Sequence, residues 1–197
     1  MNNPSVLGLG GVGNLWLLST AMNAMYQVSA LNELSPMEVH RLYKLRVDVF
    51  VNEQKCPYAE IDDIDATPST LHTLVWSADP EERHHLLGTA RLYPDQIGGK
   101  PVSHLGRLTL LPEARGTGLG HDLMFNVLRL ALERFGAQDV YLTAQTPLVG
   151  YYEGYGFTVA GEEFDDEGVP HTPMILTGNK LATTIERMST RCFAPSH

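Results

Sequence analysis

The sequence predicts an α/β (α+β) fold: a mixed, mostly antiparallel twisted sheet with helices on both faces. Three stretches predict it. An apolar run, Leu105–Leu111, meets a glycine-rich loop and then a segment of helical periodicity, which reads as strand, turn and helix. Two further apolar runs flank Asp79-Pro80-Glu81-Glu82, as in a β-hairpin. Ser35-Pro36-Met37-Glu38 has the form of a capped helix start.

In chain order, residues 1–30 read as a poorly ordered extension. Met1–Leu31 carries no charged side chain, yet polar residues interrupt it too often for a spanning helix, and no basic region marks a secretory signal. Gly8-Leu9-Gly10-Gly11-Val12-Gly13 matches a dinucleotide fingerprint by spacing. It lacks a preceding strand and a following βαβ unit, so a nucleotide role is rejected. The domain is placed at 31–177. Its first helix should run from Pro36 to about Phe50, with Val39, Leu42, Tyr43, Val47 and Phe50 as the apolar stripe. An acidic loop, 52–67, follows, and Asp62, Asp63 and Asp65 read as solvated. Strands are expected at 70–77 and 85–93, a loop at 94–101, and a strand at 102–111.

The next helix carries Leu119, Leu123, Met124, Val127, Leu128, Ala131 and Phe135 on one face and ends at Gly136. A strand at 139–144, a short helix from Pro147 to Tyr155, and strands at 157–160 and 171–177 complete the domain. Residues 161–168 read as an acidic turn, and the 178–197 tail as holding a helix near Lys180–Met188.

At 197 residues, 43% hydrophobic and 19% charged, the chain suits one globular domain. A net charge of −9 leaves no basic stripe for nucleic acid and favours a cationic partner. Cys56 and Cys192 form neither a disulfide framework nor a metal motif, so a reduced, cytoplasmic setting is expected, with no membrane partner. The loop Arg115-Gly116-Thr117-Gly118-Leu119-Gly120 has the makings of an anion site. Unpaired N–H groups and the dipole of the following helix favour negative charge, and glycines let a phosphate come close. A plain strand-to-helix turn remains the alternative at this point.

Arg115-x-x-Gly118-x-Gly120 after an apolar strand resembles the acyl-CoA pyrophosphate loop of the Gcn5-related N-acetyltransferase (GNAT) superfamily. Gly150-Tyr151-Tyr152-Glu153-Gly154-Tyr155-Gly156-Phe157 resembles its later signature, although that signature often has Asn where this chain has Gly150. Stretches Leu45–Tyr58 and Glu60–Asp62, His72, Gly106-Arg107 and Glu167–His171 look like the ElaA-type branch. The resemblance covers about 31–177.

It implies a metal-free N-acetyltransferase taking acetyl-CoA as cosubstrate and passing acetyl directly to a small-molecule or peptide amine. It implies that Leu108, Thr109 and Leu110 face the pantetheine and thioester. Arg115, Gly116, Thr117, Gly118, Leu119 and Gly120 hold the pyrophosphate, with His121 adjacent. Tyr152 takes the place of the family's tyrosine acid. Glu53, Glu60, His72 and His171 are candidate bases for the amine proton. Glu53 has a second reading as an ion-pair partner of Arg46 or Arg107, and Cys56 reads as a small buried residue. Homodimers are common in enzymes that resemble this chain. The alternative function is a non-catalytic acyl-CoA-binding or protein-interaction module on the same fold.

Overall fold

The computed structural model describes residues 15–19, 24–56, 59–82 and 84–192, the side chains of 15–19 and 190–192 excepted. The elements are β1 (Leu15–Ser19), β2 (Ala24–Ser29), α1 (Pro36–Arg46), β3 (Leu71–Ser77), β4 (Leu86–Ile97), β5 (Lys100–Leu110), α2 (Leu119–Phe135), β6 (Asp139–Gln145), α3 (Val149–Glu153), β7 (Thr158–Val159), β8 (Phe164–Asp166), β9 (Val169–Leu176) and α4 (Gly178–Cys192). The strands hydrogen-bond in the order β1-β2-β3-β4-β5-β6-β9-β7, and β8 pairs with the start of β9. Among the described ladders only β5–β6, Val102–His104 against Asp139–Tyr141, is parallel. The expected mixed, mostly antiparallel sheet is therefore present.

The chain divides into two units, and β4, β5 and α2 each contribute to both. The first holds residues 1–55, 59–91 and 107–123. Here a strand, β2, stands ahead of the expected start near Leu31. It pairs along its whole length with β3. Ala24–Ser29, inside the charge-free run read as a tail, is a strand buried at five of its six positions. Gln27 on this strand is fully buried and satisfied: it accepts from Trp76 Nε1 at 2.8 Å and donates to Glu38 Oε1 at 3.0 Å. The GxGxxG stretch lies outside the described residues.

Helix α1 starts as expected, with Ser35 and Glu38 closing a reciprocal capping box. It ends earlier, at Arg46, and passes into a wide turn over Val47–Glu53 in which Gln54 N–H reaches back to Val49 O at 2.9 Å. The extra residue rotates the end of the stripe. Val49, not Val47, joins Leu42, Leu45, Leu74, Trp76 and Leu86 in the core.

The second unit holds residues 56–58, 92–106 and 124–197. The expected loop at 94–101 is instead a two-residue hairpin turn. Gly98 and Gly99 both have positive φ, +58° and +75°, the type I′ geometry that suits the twist of paired strands. The apolar face of α2 is buried as its periodicity requires: Leu119, Leu123, Met124, Val127, Leu128 and Ala131 are each at most 3% exposed. The short helix is divided, a 3-10 turn over Thr146–Leu148 leading into α3. The acidic turn contains strand β8, and α4 is longer than expected.

Candidate active site

The glycine loop belongs to the first unit. Gly88 lets β4 come close to the end of β5, since a Cβ there would sit 2.3 Å from Leu110 Cδ2 and 2.9 Å from Thr109 O. Beyond Leu110 a 3-10 turn, Pro112–Ala114, delivers Arg115. Gly116 and Gly118 follow with φ of +74° and +94°, in the left-handed region open to glycine. Thr117 fastens the loop to the helix: its hydroxyl donates to Ala114 O at 2.8 Å and accepts from Leu119 N–H at 3.3 Å. The N–H groups of Gly116, Thr117 and Gly118 donate to no acceptor among the described residues. Three solvent-facing N–H groups beside the positive end of a 17-residue helix suit a phosphate chemically.

Arg115 folds back from this loop. Its guanidinium grips Glu53 with two bonds, Nη1 to Oε1 at 2.6 Å and Nη2 to Oε2 at 2.8 Å. Nε and Nη2 also donate to Leu110 O, at 3.1 and 3.0 Å. The ion-pair reading of Glu53 thus holds in kind, but the partner is Arg115, not Arg46 or Arg107. Hydrogen bonding from Arg115 holds the Glu53 carboxyl below the usual carboxylate range, which makes it a poor proton acceptor.

His72 and Glu60 lie inside the same unit. His72 is fully buried on β3 and donates from Nε2 to Asp65 O at 3.0 Å. Burial pushes its imidazole down. Glu60 and Asp65 form an ionic core with Arg46, which is itself fully buried. Arg46 Nε meets Glu60 Oε1 at 2.6 Å, and its Nη1 meets Asp65 Oδ1 at 2.7 Å. Arg91 Nη1 reaches Asp62 Oδ1 at 2.7 Å and Asp65 Oδ1 at 2.8 Å. Asp62 and Asp65 are therefore not the solvated loop residues expected, whereas Asp63 is exposed. Burial alone would raise Asp65, but the Arg46 and Arg91 guanidiniums outweigh it and leave the carboxyl low. At Glu60 burial wins and the carboxyl is raised.

The second unit carries the other candidates. Tyr152 lies on α3, 9% exposed, edge-on to Tyr151 and Phe157 with ring centroids 5.2 and 5.9 Å away. Burial, with a smaller contribution from Tyr151, raises its phenol well above the usual value, so it stays protonated. Gly150 is open: a Cβ there would meet nothing within 4 Å. His171 begins the ladder of β9 with β6, opposite Gln145, and stacks on Phe164 at 6.0 Å. Its Nδ1 lies 2.9 Å from Val169 O, and only a protonated Nδ1 can make that bond. The lone pair therefore sits on Nε2. Cys56 is 2% exposed, as expected, and its Sγ accepts from Gln145 Nε2 at 3.6 Å. Sequence reasoning missed Gln145 and Arg91, which carry no motif of their own.

Among the described residues no cluster of His, Cys, Asp and Glu could hold a metal, and no helix is long and apolar enough to cross a membrane.

Known proteins match this arrangement. The acetyltransferase (GNAT) domain family matches residues 47–177. A UPF0039 protein of Mycobacterium bovis is 37% identical over 147 residues, 75% of this chain and 89% of the relative. ElaA of Escherichia coli is 34% identical over 143 residues, 73% of this chain and 90% of its own. Its crystal structure aligns with a TM-score of 0.68 over 76% of this chain and 97% of that one. An acyl-CoA N-acyltransferase from Pseudomonas aeruginosa, 36% identical, aligns at 0.66 over the same shares. The order of elements, the glycine loop and these likenesses agree: the chain belongs to the GNAT acetyltransferase family, in its ElaA-like branch.

Proposed function

We propose that the chain transfers the acetyl group of acetyl-CoA directly to an amine. The observation that carries this reading is the glycine loop, with three uncommitted N–H groups at the start of α2. The pyrophosphate binds there, and Arg115 adds its fixed charge. Leu108, Thr109 and Leu110 line the pantetheine and the thioester, and a backbone N–H of this strand holds the oxyanion.

The incoming amine must shed a proton before it attacks the thioester carbon. Of the four candidate bases, Glu53 is occupied by Arg115, and Glu60 and His72 are sealed in the core. His171 remains, with its lone pair on Nε2, as the group that takes this proton directly or through water. Attack gives a tetrahedral oxyanion, whose collapse expels the CoA thiolate. Tyr152 stays protonated and donates its O–H to the departing sulfur. A phenol so raised acts chiefly as a hydrogen-bond donor, because full proton transfer to a thiolate, whose conjugate acid has a pKa of about 8.5, runs uphill.

Calorimetry with acetyl-CoA tests the loop. Two or more lost phosphate contacts, with a like charge introduced, should weaken binding by Arg115→Glu at least about tenfold. Binding as tight as the parent's would place the pyrophosphate elsewhere.

A further inference from the structure

Among the described residues, four non-glycine residues adopt positive φ: Lys55, His84, Arg107 and Glu167. Three stand in loops or turns, and Arg107 alone lies inside a strand, at φ +51° in β5. A left-handed residue interrupts the two-residue alternation of a strand. The alternation does fail there: Gly106, Arg107 and Leu108 are all half-buried, and Thr109 and Leu110 are both buried. Glycine is the ordinary occupant of such a position, and an arginine needs something to hold it.

The side chain supplies the hold. Arg107 Nε stands 3.0 Å from Glu60 Oε2, an ion pair too poorly directed to count as a hydrogen bond, and donates to Glu60 O at 3.3 Å. Nη2 reaches Ala59 O at 3.4 Å and Asp62 Oδ2 at 3.5 Å. Glu60 is in turn fixed by the buried Arg46, and Asp62 by Arg91. Three arginines and three carboxylates thus form a neutral, interlocked cluster in which Arg107 is the most exposed arginine. The next residue along the strand is Leu108.

We propose that Arg107 is a positioning residue for acyl-CoA. Its tethered left-handed backbone turns the groups of Leu108, Thr109 and Leu110 out of the regular ladder and toward the donor. This rests on the reading of that strand and loop as the acyl-CoA site. The cluster's role is then geometric: it stabilises one backbone conformation that an isolated arginine would avoid.

The test separates backbone shape from side-chain charge. Arg107→Gly and Arg107→Asn remove the tether but tolerate the left-handed region; Arg107→Ala and Arg107→Gln remove it and resist that region. Titration with acetyl-CoA should find the Gly and Asn variants within about threefold of the parent, and the Ala and Gln variants about tenfold weaker, because the binding-competent bulge is depopulated. The Gly and Asn variants should also unfold at higher temperature than the Ala and Gln variants, since a Cβ without a local partner resists the left-handed region. The Asn and Gln pair serves where the smaller residues do not fold. With every titration run well below the unfolding temperature of each variant, affinities that do not differ between the two pairs overturn the proposal while leaving the loop reading intact. A parent that fails to bind acetyl-CoA overturns both.

Discussion

Two arginines of the first unit hold carboxylates in opposite surroundings. Arg46 is fully buried, and each of its nitrogens meets a group of the acidic segment, the carboxylates of Glu60 and Asp65 and the Glu60 carbonyl. Arg115 stands at the surface and grips an exposed Glu53. Both arrangements are short and well directed, yet they differ in what breaking them costs. A buried charge without its partner has no water to replace it, whereas a surface pair exchanges readily with solvent or with another anion. The buried arrangement suits a permanent shape. The surface one can yield when another anion competes for the arginine.

The largest effect expected from this contrast is on stability. Asp65→Asn leaves the Arg46 and Arg91 guanidiniums facing a neutral amide, and should cost about 3–5 kcal/mol at pH 7 in denaturant unfolding. The sign with pH follows from the lowered Asp65 carboxyl. A lowered folded value gives stability that is fully present above the unfolded value of about 3.9 and is lost as pH falls through the folded one. The gap between parent and variant should therefore narrow below about pH 4. A gap that is already small at neutral pH, or that widens in acid, would mean the cluster is not held by ionised Asp65.

A smaller effect is expected at the surface. Glu53→Gln frees Arg115 and removes a negative charge beside the loop. It should leave the unfolding midpoint unchanged and tighten acetyl-CoA about two- to fivefold, more at low salt than at high. The acid limb of the pH–rate profile should persist. Its disappearance would return Glu53 to the role of base.

The contrast also explains what could be read from the sequence. The capping box at Ser35, the glycine loop and the α2 stripe depend on spacings of a few residues, and each stands where it was expected. Arg46 belongs to the stripe by position, Leu42-x-x-Leu45-Arg46-x-x-Val49, but its charge argued for the surface. Its acidic partners lie 14 and 19 residues away, and Arg107 lies 45 or more from the carboxylates it meets, so no local pattern joins them. β2 was hidden for the opposite reason: a stretch without charge looked like a tail, and only its ladder with β3 makes it core. The pairing of Glu53 with Arg115 spans 62 residues, and no local pattern announces it.

The central claim is transfer to an amine, and CoA release from acetyl-CoA across a panel of amines tests it most directly. Amine-dependent release is expected from the parent. Tyr152→Phe should lower kcat about 10²–10³-fold, the loss of one hydrogen bond to developing charge, while acetyl-CoA still binds. A parent that binds acetyl-CoA but releases no CoA with any amine, or a Tyr152→Phe variant as fast as the parent, would contradict it.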